Sequence, residues 1–141
     1  MKNLLYLLFL AFFAISCGTT YKANNLPSKQ ILFGEGGGFS GNVKEYVLLE
    51  NGQMFTRTTF AGEATELPKV KKKTAESYFL KLEGLKEIEY IKPGNMYEYV
   101  QYQVDSTTNY RVVWKNGDEN APEDVKMYFE ELKTLVKPPK K

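Results

Sequence analysis

Histidine is absent from this chain, and cysteine occurs once, at position 17. Those two facts remove the Ser/His/Asp and Cys/His nucleophile systems, the usual zinc sites, and the side chain that most often moves protons near neutral pH. Any chemistry must then come from carboxylates, lysine, tyrosine or serine. Glu45, Glu98 and Asp105 lie in or beside strand-like segments, and two of them meeting in a cleft would suit glycoside hydrolysis. Nothing in their spacing brings them together. No catalytic residue, metal-ligand set or cofactor site is therefore assigned.

The second chemical signal is glycine. Gly36-Gly37-Gly38-Phe39-Ser40-Gly41-Asn42-Val43 fits G-x-G-x-x-G-x-V, a pattern that in protein kinases covers nucleotide phosphates between two strands. The following strand-like segment offers Arg57 but no lysine, no His-Arg-Asp or Asp-Phe-Gly element follows, and no helix follows as a dinucleotide site would need. Nucleotide binding is excluded on those grounds. Two readings remain for Gly36 to Gly41. The glycines make a wide loop or bulge with Phe39 turned back onto the core, or they let the backbone approach a partner closely.

Tyrosine supplies the third. In Met96-Tyr97-Glu98-Tyr99-Val100-Gln101-Tyr102, alternation places Tyr97, Tyr99, Gln101 and Gln103 on one face and Glu98, Val100, Tyr102 and Val104 on the other. One reading is a core strand whose hydroxyls reach solvent. The other is a helix-free sheet face, with Tyr97, Tyr99 and Arg57, that contacts a protein or a glycan. Lys69, Lys71, Lys72 and Lys73 form the densest charge run, read as a solvated approach to a helix or as a surface for anionic headgroups.

The elements that must position these residues follow from hydrophobic period. Gln30 to Phe33 is a short strand, Gly34 to Gly41 a glycine loop, and Val43 to Leu49 and Gln53 to Phe60 a strand pair joined by the hairpin signal Asn51-Gly52. Val70, Thr74, Tyr78, Phe79 and Leu82 then fall on a helical stripe ending at Gly84. Its start falls between Pro68 and Thr74, with the lysines opposing the helix dipole and favouring the later position. Met96 to Asp105 and Tyr110 to Trp114 are strands around a Ser106 to Asn109 turn, and Pro122 to Val136 is a helix with Pro122 at its first position. The fold class is α+β: an antiparallel sheet of about five strands with two helices on one face, in the order βββαββα.

Ahead of this domain the apolar run Leu4 to Ile15 follows Lys2 and ends in Ala14-Ile15-Ser16-Cys17-Gly18. A basic start, a 12-residue apolar stretch and small residues make a secretory signal. With cysteine at the first mature position it resembles a bacterial lipoprotein lipobox, with Ala14 where leucine is usual. The resemblance implies a signal peptide at 1–16, acylation of Cys17 and membrane attachment through it. Residues 17–29 read as a flexible tether, 30–137 as one domain and 138–141 as a basic tail. Surface-exported lipoproteins of Bacteroidetes resemble one another in acidic residues just after the cysteine. Their lack here implies the periplasmic side of the outer membrane.

Beyond the signal, 18 basic residues face 17 acidic ones, a balance that gives no field for nucleic acid. The chain as a whole resembles small lipoproteins of Bacteroidetes. It also resembles the emfourin-type inhibitors of thermolysin-like metallopeptidases. Gly37-Gly38-Phe39-Ser40-Gly41 matches their Gly-Gly-Phe-Ala-Gly-like stretch, Tyr97 to Trp114 their tyrosine-containing strand pair, and Pro122 to Val136 their proline-led last helix. The first resemblance implies an envelope protein with a protein partner, the second a peptidase inhibitor. The candidate contact residues are Gly36, Gly37, Gly38, Phe39, Ser40, Gly41, Tyr97 and Tyr99.

Overall fold

The computed structural model describes residues 19–59 and 63–137. The expected signal peptide, Cys17, Phe60 and the 138–141 tail lie outside them. The chain runs β1 (Gln30–Gly37), β2 (Asn42–Leu48), β3 (Met54–Thr58), β4 (Thr65–Leu67), α1 (Lys72–Glu83), β5 (Ile91–Lys92), β6 (Met96–Gln103), β7 (Asn109–Lys115) and α2 (Glu123–Val136). All seven strands form one sheet in the order β4-β3-β2-β1-β6-β7-β5. The class is α+β, as expected. The strand count and order differ, because β4 and β5 have three and two residues and are too short to carry a period. The β5–β7 pair is also parallel, so the sheet is mixed.

Both helices serve one core. Ala75, Phe79 and Leu82 from α1 and Val125, Tyr128, Phe129 and Leu132 from α2 pack with Ile31, Phe33, Leu48, Met54, Val100, Tyr102, Val112 and Trp114. Phe129 meets Trp114 edge-on at 5.3 Å and Phe33 at 6.4 Å. Such aromatic pairs add about 0.5–1.5 kcal/mol each beyond the area they bury. Tyr128 donates its hydroxyl to the Tyr78 carbonyl at 2.9 Å, which ties α2 to α1.

Helix α1 begins at Lys72 with no side-chain cap and no acidic residue in its first turn, within the expected range. Gly84 ends it, although in a right-handed conformation (φ −73°). Pro122 stands one place outside α2 rather than at its first position, with φ −56° and ψ 120°. In the β6–β7 turn, Asp105 Oδ1 accepts from the Thr107 and Thr108 amides at 2.8 and 2.7 Å. Those amides, Thr107 first, hold the Asp105 carboxyl down at about 2.

The other sheet face carries a second cluster, Leu32, Val47, Leu49, Phe55, Tyr99 and Val113. Tyr21, Ala23 and Leu26 pack against it. The described part of the expected tether, residues 19–29, thus lies against the sheet. Gln53 fixes it: Nε2 donates to the Tyr21 carbonyl at 3.1 Å, and Oε1 accepts from the Tyr21 amide at 2.8 Å. Alternating polar residues hid three apolar contacts in this segment.

Candidate functional site

The glycine segment is a strand and a tight turn, which corrects the expected loop from Gly34 to Gly41. β1 continues to Gly37, paired with β2 from Ile31↔Leu48 to Gly37↔Asn42 and with β6 from Gln30↔Gln103 to Gly37↔Met96. Each glycine has a local reason. A Cβ on Gly34 would strike the Lys44 carbonyl oxygen, one on Gly36 the Tyr97 ring, and one on Gly37 the Asn95 carbonyl oxygen. Gly37 also sits at φ +104°, a conformation that only glycine adopts cheaply. The glycines let β2 and β6 close tightly on the central strand.

The turn itself is Gly38 to Gly41, closed by the Gly41 amide on the Gly38 carbonyl at 3.1 Å. Gly38 (φ +75°) and Gly41 (φ +62°) bracket Phe39 and Ser40, neither of which has positive φ. This is the geometry of a four-residue hairpin connection. Phe39 stands at its apex fully exposed. The ring does not return to the core, so that part of the expectation is overturned. The paired strands β1 and β2 hold the turn at the end of their ladder.

Two further loops reach the same end of the sheet. The Gly38 amide donates to the Asn95 carbonyl at 2.7 Å, and the Asn116 amide donates to the Met96 carbonyl at 2.9 Å. Met96, about half exposed, brings its thioether beside Gly38. Asn95 and Met96 were missed as site residues. Their only signal was the turn cluster Pro93-Gly94-Asn95, and the β1–β6 pairing that brings it to the hairpin spans some sixty residues of sequence.

Tyr97 and Tyr99 share the helix-free face as expected, but they differ in access. Tyr97 is half-buried over Gly36. Tyr99 is 1% exposed, with its hydroxyl donating to Glu45 and the Arg111 guanidinium 4.5 Å above its ring. Burial, then the Glu45 carboxylate, pushes its phenol well above the usual tyrosine range. Arg57 Nε donates to Glu45 at 2.6 Å, so the arginine is engaged as well. Tyr99 therefore supports the face rather than offering contact.

The three carboxylates do not meet. Glu45 lies on the helix-free face, bound by Arg57 and Tyr99. Glu98 lies on the helix face, where it accepts from Trp114 Nε1 at 2.9 Å and faces Lys133 Nζ at 3.8 Å. Asp105 sits in the turn beyond Gln103, at the far end of β6 from the hairpin tip. A groove along α2 is lined by Glu35, Glu98, Trp114, Glu130 and Lys133, and no metal-holding group of three ligands occurs among the described residues.

The lysine run lies at the opposite end from Phe39. Val70 donates its amide to the Gly52 carbonyl at 2.9 Å, and Asn51 donates to the Thr19 carbonyl at 2.7 Å. No described helix is long and apolar enough to cross a membrane. No protein-family model, curated protein or solved structure matches the chain.

Proposed function

We propose that this chain is a lipid-anchored protein of the bacterial envelope, held by acylated Cys17 on the periplasmic side of the outer membrane. It acts there, without catalysis, by binding another protein through the β1–β2 hairpin tip. The observation that carries the reading is Phe39, fully exposed at the apex of a turn whose backbone is fixed on both flanks. A large aromatic side chain costs hydration when left in water, and the paired strands on its flanks mean that the backbone carrying it need not be ordered again when the ring enters a pocket. Met96 and Tyr97 extend the contact, and Gly36 and Tyr99 support it from beneath.

A photo-crosslinking residue at position 39 in the full acylated chain tests this. One discrete adduct with an envelope protein is expected, absent when the probe stands at Leu80, an exposed position on α1. The same adducts from both positions would overturn it. Cys17→Ala should abolish labelling by a palmitate analogue, and unchanged labelling would remove the anchor.

The same Phe39 favours a second reading, inhibition of a thermolysin-like metallopeptidase, because a rigid hairpin can seat an aromatic ring in a specificity pocket. Near-stoichiometric inhibition that is lost in Phe39→Ala is its expected signature. No inhibition at high excess excludes it.

A further inference from the structure

We infer that Lys69, Lys71, Lys72 and Lys73 form a docking surface for anionic phospholipid, which turns the anchored domain so that the Phe39 hairpin points away from the membrane. The inference rests on the acylation of Cys17 proposed above. Thr19, Lys69, Lys71 and Lys72 line one hollow at the end of the sheet where β1 begins. Thr19 is held there by Asn51, and Cys17 precedes it by two residues, a reach of about 7 Å at full extension. An acyl anchor on Cys17 therefore enters the bilayer beside the lysines.

Charge points the same way. The carboxylates lining the hollow are already paired, Glu50 with Lys29 at 2.6 Å and Glu76 with Lys72 at 3.6 Å. Lys69, Lys71 and Lys73 are exposed and have no ion-pair partner among the described residues. Lysines near an anionic leaflet are attracted within roughly a Debye length, about 8 Å at physiological salt. The anchor brings Lys69 and Lys71, which line the same hollow as Thr19, within that range, and Lys73 follows them in the first turn of α1. Phe39 sits past the other end of β1, whose eight residues span roughly 25 Å.

The test uses the full-length protein purified from membranes, with acylation of Cys17 verified by intact mass, in vesicles containing about one-third phosphatidylglycerol and nitroxide-headgroup lipid. A fluorophore is placed on Pro68→Cys or Ser40→Cys, both exposed positions. Quenching at 68 should exceed that at 40 by about tenfold, and fall to parity in phosphatidylcholine or about 0.5 M salt. Replacing the four lysines with glutamine should abolish the difference while the protein still floats with the vesicles. Equal quenching at both sites in acylated protein, or a difference indifferent to the lysines, overturns the inference alone. An unmodified Cys17 overturns the anchor and the inference together.

Discussion

Tyr97 and Gly36 face each other across the β1–β6 pair, and the tyrosine ring occupies the space of the missing side chain. A Cβ at Gly36 would lie 2.8 Å from the Tyr97 hydroxyl oxygen and 2.9 Å from Cζ. An aromatic laid over a cross-strand glycine restores packing that the glycine alone would forfeit. It also couples the hairpin that displays Phe39 to the start of β6, where Met96 stands.

That coupling predicts a measurable non-additivity. Gly36→Ala should destabilise the fold by about 1–3 kcal/mol through overpacking. In a Tyr97→Ala background the same change meets less obstruction, so the double variant should cost less than the sum of the two. Urea unfolding of the four proteins reads the term directly. Strict additivity would mean that ring and glycine do not constrain each other.

Gly34 and Gly41 should separate the two uses of glycine in this segment. At Gly34 the obstacle is the Lys44 carbonyl, fixed in the β1–β2 ladder, so Gly34→Ala should cost about 3 kcal/mol or more. At Gly41 the space is open and only φ +62° opposes a side chain, which gives about 1–2 kcal/mol for Gly41→Ala. Equal losses in thermal unfolding would count against this division.

The same segment marks where the sequence could be read and where it could not. Asn51-Gly52 identified its hairpin because turn chemistry is local, and Gly52 does take φ +87°. The stripe of Val125, Tyr128, Phe129 and Leu132 identified α2 for the same reason, since a helix face repeats within one element. Gly34 to Gly37 gave the opposite impression. Glycine is depleted in strands on average, and only the approach of Lys44, Tyr97 and Asn95 from distant segments makes it the residue that fits. Of the two readings open for Phe39, the one that turned it back onto the core fails because hairpin geometry sends the ring out. Tyr99 was expected to be accessible because alternation gives a face and not the segments that cover it.

Gln53 carries the next prediction. It is the one buried polar residue among the described residues, 1% exposed, and its side chain satisfies both backbone groups of Tyr21, accepts from Asn51 Nδ2 at 2.7 Å and donates to Glu66 at 3.1 Å. Gln53→Leu keeps the bulk and leaves those groups without their partner, which should cost about 2 kcal/mol. Loss should concentrate in residues 19–29, whose amides should exchange at least about tenfold faster while α2 stays protected. Uniform acceleration would mean that the segment is not docked through Gln53.

The buried tyrosines set how the fold responds to alkali. Burial raises the phenols of Tyr99, Tyr102 and Tyr128 well above their ordinary value and that of Tyr110 up to about 12. Tyr102 also donates to Glu83 at 2.8 Å, which opposes its ionisation further. The unfolded chain releases these protons near pH 10, whereas the folded chain keeps them. The stability they contribute is therefore complete below about pH 10 and is lost as pH rises toward the folded values, with the Tyr110 share lost between about 10 and 12. Melting temperature should hold steady from neutral pH and then fall. Tyrosinate absorbance should rise in two stages, first from the accessible rings and then in a step that coincides with the loss of near-ultraviolet circular dichroism. Tyr102→Phe, which has no proton to lose, should make the alkaline decline shallower. A single smooth titration completed before unfolding would show that these rings are open to solvent and that the packing on both faces of the sheet is looser than their burial implies.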